Sequence, residues 1–262
     1  HWEKIFVFKK KEFALINIIF NRSKYDKIFL DSDFGLSVRL LLFFLIGKLV
    51  CVYEEGLASY TFSLRPNSSL HFFLKIFDFI LCGAGWSGSS FINDGIYLYR
   101  PNSFIEIIKN DLKGKKIYSF NKKFIDHITQ LPEIDYLETG LKFHDYVNQK
   151  VLLYITAGKV NLNVLPILEK HNDFIKILKL HPHEKYDDLN SIYFDTSINN
   201  TLPIELVILE FLKHVKKLVI VHESSAAMLN IVGVQGFTEF NIGEEQYKIH
   251  FEHLKNLFLT KG

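Results

Sequence analysis

Apolar residues along this 262-residue chain gather into short runs separated by polar turns. Stretches rich in β-branched, aromatic and aliphatic residues fall at Ile5 to Phe8, Lys27 to Leu30, Leu49 to Tyr53, Gly95 to Tyr99, Val151 to Thr156, Phe174 to Leu180, Ser191 to Phe194 and Leu218 to His222. Their length and residue types predict strands. Ser37 to Gly47 and Leu202 to Lys216 have the spacing of helices, and Pro203 is expected in the first turn of the second. Strands alternating with helices predict an α/β fold with mainly parallel sheets.

Asp145 to Lys150 is a polar interval before a new strand. A boundary there divides the chain into residues 1–147 and 148–262, each of a size to form one Rossmann-like lobe. The second half is the more regular. No tandem repeat or low-complexity linker interrupts either part.

Composition narrows the function classes. Lys and Arg number 31 against 29 Asp and Glu, so the chain lacks the basic surplus of a nucleic-acid binder. Cys51 and Cys82 sit among apolar residues without metal or redox spacing and read as buried packing residues in a reducing compartment. The apolar stretches Leu40 to Tyr53 and Phe72 to Trp86 are broken by Lys48 and by Lys75 and Asp78. Both fall short of the roughly 20 residues that span a bilayer. A cytoplasmic protein is expected, with peripheral contact at the inner face of the membrane through Phe72 to Trp86 as the alternative to a plain core helix. The chain opens His1-Trp2-Glu3 with no start methionine or signal-peptide pattern, which reads as a trimmed or processed N-terminus.

Four short pieces carry candidate chemistry. Leu49 to Tyr53 runs into Glu54-Glu55-Gly56, placing carboxylates at a strand exit, where α/β proteins bind ligands. Because strand side chains alternate, one of Glu54 and Glu55 is expected to face a reacting centre as a general base and the other to hold the turn. Taken alone, such a triplet is usually a solvated turn. Val151 to Ile155 ends in Thr156-Ala157-Gly158, a small turn that lets backbone approach a ligand.

Lys179-Leu180-His181-Pro182 stands at another strand exit, with Pro182 stiffening the backbone of His181. A histidine there can protonate or stabilise a leaving phosphate oxygen, whereas a lone His-Pro is more commonly a surface or capping feature. A metal cluster of His181, His183 and Glu184 lacks a recognised ligand spacing. Leu218 to Val221 leads through His222-Glu223 into Ser224-Ser225 and a helix, so one serine is expected at the N-cap beside open backbone N–H groups that suit a phosphate. A cap without a ligand is the plain alternative.

Together these pieces resemble the bacterial sialyltransferases that use CMP-sialic acid, a group marked by Asp/Glu-Asp/Glu-Gly, Lys-x-His-Pro and Ser-Ser or Ser-Thr motifs. The resemblance spans roughly Lys27 to Leu229. It implies a GT-B fold of two Rossmann-like domains with an inter-domain cleft, the acceptor on the N-terminal side and the nucleotide donor held mostly by the C-terminal domain. It further implies that Glu54 or Glu55 is the base, that His181 assists departure of CMP and that Lys179 lies near the cytosine. Glu205 matches a glutamate on the ribose hydroxyls, Ser224 and Ser225 would hold the phosphate, and Thr156, Gly158 and Pro182 would shape the donor side. Related lipooligosaccharide sialyltransferases take their base from an Asp shortly after the first strand of the second domain. This chain has Lys159-Val160-Asn161 there, which favours the Glu54-Glu55 pair as in the polysialyltransferase-like branch.

The sequence thus predicts an inverting sialyl transfer to a sugar hydroxyl of a bacterial surface glycan, without metal or other cofactor. Two alternatives stand beside it. One is another GT-B enzyme with a Kdo or hexose donor, and the other a silent glycan-binding or capsule-assembly protein.

Overall fold

The computed structural model describes residues 11–31, 33, 36–54, 60, 88–90, 92–108, 114–120, 126, 141–180, 190–198 and 203–261. The chain forms two compact units, His1–Asn121 and Lys122–Lys261. The division falls earlier than the 147/148 boundary read from the polar interval. Phe143 and Tyr146, which precede that boundary, pack edge-on against Phe211 of the second unit at ring-centroid distances of 4.9 and 5.6 Å.

In the first unit, β1 (Lys27–Leu30), β2 (Leu49–Tyr53), β3 (Gly95–Leu98) and β4 (Lys116–Ser119) form a parallel sheet in chain order. Val50, Cys51 and Val52 are buried, as the apolar run demands. Gly95 is fixed by close approach, because a Cβ there would stand 2.0 Å from the carbonyl oxygen of Lys116 on the neighbouring strand. Helices α1 (Lys11–Phe20), α2 (Leu36–Phe43) and α3 (Pro101–Ile108) accompany the sheet. Pro101 opens α3 where a missing N–H costs nothing.

In the second unit, β5 (Lys150–Ile155), β6 (Ile175–Lys179), β7 (Thr196–Ile198), β8 (Lys217–His222) and β9 (Phe237–Asn241) form a parallel sheet in the order β7-β6-β5-β8-β9. The helices are α4 (Leu165–Lys170), α5 (Asn190–Tyr193), α6 (Ile204–His214), α7 (Ala226–Asn230) and α8 (Glu245–Lys261). Every residue from Val151 to Ile155 and from Leu218 to His222 is buried, so β5 and β8 are covered on both faces. Leu152, Tyr154, Leu178, Val219 and Val221 form one core layer with Val164, Leu168, Phe174 and Phe194. The strand order reverses between β5 and β8, and open α/β sheets bind ligands beyond the carboxyl ends of strands at such a reversal.

Two sequence expectations need correction. Ser191 to Phe194 is not a strand, since α5 spans Asn190–Tyr193 and the strand follows at Thr196–Ile198. The Asp195 carboxylate accepts the Lys176 N–H at 2.7 Å and so stands immediately before β7 pairs with β6. A four-residue apolar run does not distinguish a turn of helix from a strand. Pro203 is the N-cap of α6 rather than a first-turn residue, with ψ of 121°. The run Ile5 to Phe8 and the stretch Phe72 to Trp86, with Cys82, lie outside the described residues. Among the described residues no helix is long and apolar enough to cross a membrane.

Candidate functional site

The reversal point in the second unit gathers most of the described candidates. Thr156 follows β5 directly and its N–H donates to the carbonyl of Lys179 at the end of β6, 3.1 Å away. Gly158 stands in an open turn where an added Cβ would meet nothing within 4 Å. Tyr154, one residue before the end of β5, ties this turn to the one after β8. Its hydroxyl donates to Glu223 Oε1 at 2.5 Å and accepts the Asn161 N–H at 3.0 Å. Burial, reinforced by the Glu223 carboxylate, pushes the phenol far up and keeps it a donor.

The two serines have different roles. Ser224 takes a left-handed backbone, φ of 54°, which costs a residue that carries a Cβ. Asn241 at the end of β9 holds it there: Oδ1 accepts the Ser224 N–H at 3.0 Å, and the Ser224 hydroxyl lies 3.2 Å from both Oδ1 and Nδ2. The same Oδ1 accepts the Gly243 N–H at 3.0 Å. Ser225 is the N-cap of α7, but its side chain makes no capping bond and its hydroxyl engages no described residue. The free hydroxyl thus stands at the start of a short helix, a place whose chemistry suits an anion.

Lys179 is buried, 4% exposed, and no described residue hydrogen-bonds or ion-pairs with its ammonium group. Burial lowers its pKa to about 8, against the opposing pull of the Glu205 carboxylate. Glu205, in the first turn of α6, is also buried, and its Oε1 accepts from Asn230 Nδ2 of α7 at 2.8 Å. A buried cation that Glu205 only partly compensates favours an arriving anion.

Glu54 belongs to the first unit, at the exit of β2. Its Oε2 accepts the Tyr60 hydroxyl and the Tyr99 N–H, each at 2.7 Å, while Oε1 bonds no described residue. Burial raises the carboxyl pKa, and the Tyr60 and Tyr99 hydrogen bonds and the Arg100 charge restrain the rise. A carboxylate with one oxygen anchored and a raised affinity for protons is chemically able to accept one.

Glu55, His181 and Pro182 lie outside the described residues, as do His183 and Glu184. Among the described residues no three His, Cys, Asp or Glu side chains group as a metal site. Sequence reasoning missed Asn241, Gly243 and His222. Asn241-Ile242-Gly243 after a strand carries a turn signature that could have marked the first two. The role of His222 depends on β8 pairing with β9, where it lies opposite Asn241.

No protein-family model matches the chain, and no curated protein gives a significant sequence match. Among solved structures it is similar to the α/β-galactoside α-2,3-sialyltransferase of the luminous marine bacterium Photobacterium phosphoreum. The TM-score is 0.55 at 13% identity, with 95% of this chain and 82% of that one covered. At this identity the likeness is one of fold, the mixed α/β type with parallel sheets of a bacterial sialyltransferase.

Proposed function

We propose that the chain is a GT-B glycosyltransferase that transfers sialic acid, with inversion and without a metal, from CMP-sialic acid to a sugar hydroxyl of a bacterial surface glycan at the cytoplasmic side of the membrane. The observation that carries the reading is the second unit's reversal point, where a buried Lys179, only partly compensated by Glu205, and a serine turn with a free Ser225 hydroxyl occur in a sialyltransferase-like fold. In this reading the first unit, His1–Asn121, serves the acceptor and the second, Lys122–Lys261, the donor. Glu54 accepts the acceptor hydroxyl proton as that oxygen forms its bond to the anomeric carbon. The bond from that carbon to the CMP phosphate oxygen breaks with it, and the charge left on CMP is met by Ser225, the α7 N–H groups and His181. Lys179 and Glu205 receive the nucleoside, and Ser224 shapes the turn. A single phosphate met by these groups requires no divalent ion, so activity is expected to survive EDTA.

A nucleotide panel read by thermal shift tests the proposal. CMP and CDP should stabilise the chain more than UMP, GDP or ADP, by about 2.7 kcal/mol at 100 times the dissociation constant. A preference for UDP or ADP points to another GT-B donor. Glycan binding without CMP release from CMP-sialic acid points to a silent binding protein.

A further inference from the structure

His222 ends β8 wholly buried, with both ring nitrogens engaged. Nδ1 accepts the Ser225 N–H at 3.2 Å. Nε2 lies 3.0 Å from Glu239 Oε1, and Glu239 Oε2 accepts the Lys255 ammonium at 2.6 Å. A nitrogen that accepts a backbone N–H carries no proton, so the imidazole proton resides on Nε2 and is donated to Glu239. The ring is backed by Phe251 of α8 at 5.2 Å. A continuous chain of bonds thus runs from Lys255 on α8 through Glu239 on β9 and His222 on β8 to the backbone of the residue that caps α7.

We infer that His222 is a positioning residue for the phosphate-binding turn. Its Nδ1 holds the Ser225 backbone, and the Lys255–Glu239 pair holds the ring in the tautomer that can do so. The inference rests on the reading of Ser225 as a phosphate ligand. It follows from what the turn needs. Ser224 occupies a strained left-handed conformation, and of the two serines Asn241 bonds only Ser224. Ser225 has no side-chain capping bond of its own, so the anchor on its N–H comes from beneath, leaving the hydroxyl for a ligand. A turn ordered before binding loses less conformational entropy when the anion arrives.

Two variants separate the two nitrogens. His222→Asn places an amide oxygen near the position of Nδ1 and nothing at Nε2. His222→Gln can donate an amide N–H to Glu239 and offers nothing at Nδ1. By calorimetric titration with CMP, the Gln variant should bind at least tenfold more weakly than wild type while keeping the higher melting temperature of the two. The Asn variant should recover most of the affinity. In the ligand-free proteins, exchange of the Ser225 amide hydrogen should be fast in the Gln variant and slow in wild type and Asn. CMP affinity that follows melting temperature instead of the Nδ1 acceptor would reduce His222 to a structural residue and overturn the inference. Independently of any variant, ¹⁵N spectra of the wild-type protein should show His222 Nδ1 unprotonated, and a proton on Nδ1 would overturn it as well. The expected exchange pattern with no CMP binding to wild type would overturn the phosphate role together with the function it rests on, while the backbone anchor itself stood.

Discussion

A side chain at Gly243 would begin 2.7 Å from the Ser224 hydroxyl, so the glycine makes the room in which that hydroxyl turns to Asn241. The same added carbon would meet Asn241 Oδ1 at 3.2 Å and the Glu223 carbonyl carbon at 3.3 Å, so relieving the contact means moving groups of the hydrogen-bonded turn itself. Gly243→Ala should therefore destabilise the chain by roughly 1–3 kcal/mol and weaken CMP binding with it. Urea denaturation and CMP titration check this together. An alanine variant equal to wild type in both would mean that the turn has slack.

Replacing the serines one at a time should separate structure from binding. Ser224→Ala removes the hydroxyl bonded to Asn241 and should cost about 1 kcal/mol of stability. Ser225→Ala removes no bond within the described structure, so stability should hardly change. Its CMP affinity should fall by about 1.5–3 kcal/mol, the worth of a hydrogen bond to a charged group. Unchanged affinity in Ser225→Ala would leave that residue an ordinary N-cap.

Glu54 should behave as a base tuned by Tyr60. Glu54→Gln should lower turnover by roughly 10² or more at unchanged CMP affinity. Tyr60→Phe keeps the ring beside Phe104, 6.0 Å between centroids, but deletes a donor that restrains the upward shift of the Glu54 carboxyl. The acidic limb of the kcat/KM profile should then move to higher pH, because the base loses its charge sooner as pH falls. A limb that does not move in Tyr60→Phe would assign the profile to another group.

Lys179 ties stability to pH. Its pKa of about 8 lies below the ordinary 10.5, so between those values the unfolded chain holds a proton at this lysine that the folded chain has released, and the contribution of Lys179 to stability should rise with pH across that window. Below about pH 8 both states are protonated and the cost of the buried ammonium is present in full, roughly 3 kcal/mol at most. Lys179→Met should remove this lysine's share of the slope relative to wild type, raise stability at pH 7 by no more than that, and abolish CMP binding. Urea denaturation at several pH values between 7 and 10.5 measures the first two effects. Loss of stability at pH 7 would show that the Glu205 attraction outweighs the burial cost.

Continuous apolar runs located β1, β2, β5 and β8 because burial leaves few polar positions in them. The strands that the sequence pattern missed, β4, β7 and β9, are all sheet edges. Lys116–Ser119 is only half-buried, Thr196–Ile198 is three residues long, and Phe237–Asn241 mixes Thr, Glu and Asn into its run, so none carries enough apolar signal. The candidate site divides in the same way. Glu54 and Lys179 stand at strand exits, which can be read locally, whereas Glu205 was pointed to by the family resemblance and not by its surroundings in the sequence. His222 and Asn241 were not legible, because their meaning comes from lying opposite each other on paired strands.

The Tyr154 bridge has a mechanical consequence. With its hydroxyl bonded both to Asn161 in the turn after β5 and to Glu223 in the turn after β8, the two loops that border the reversal point are coupled through one buried ring. Burial and the Glu223 carboxylate push the phenol well above its ordinary value, so alkaline pH does not readily strip the proton that makes this bond. Both loops are pinned to one hydroxyl that accepts from the first and donates to the second, and bonds in such a chain polarise each other, so losing the bond to one loop should weaken the bond to the other.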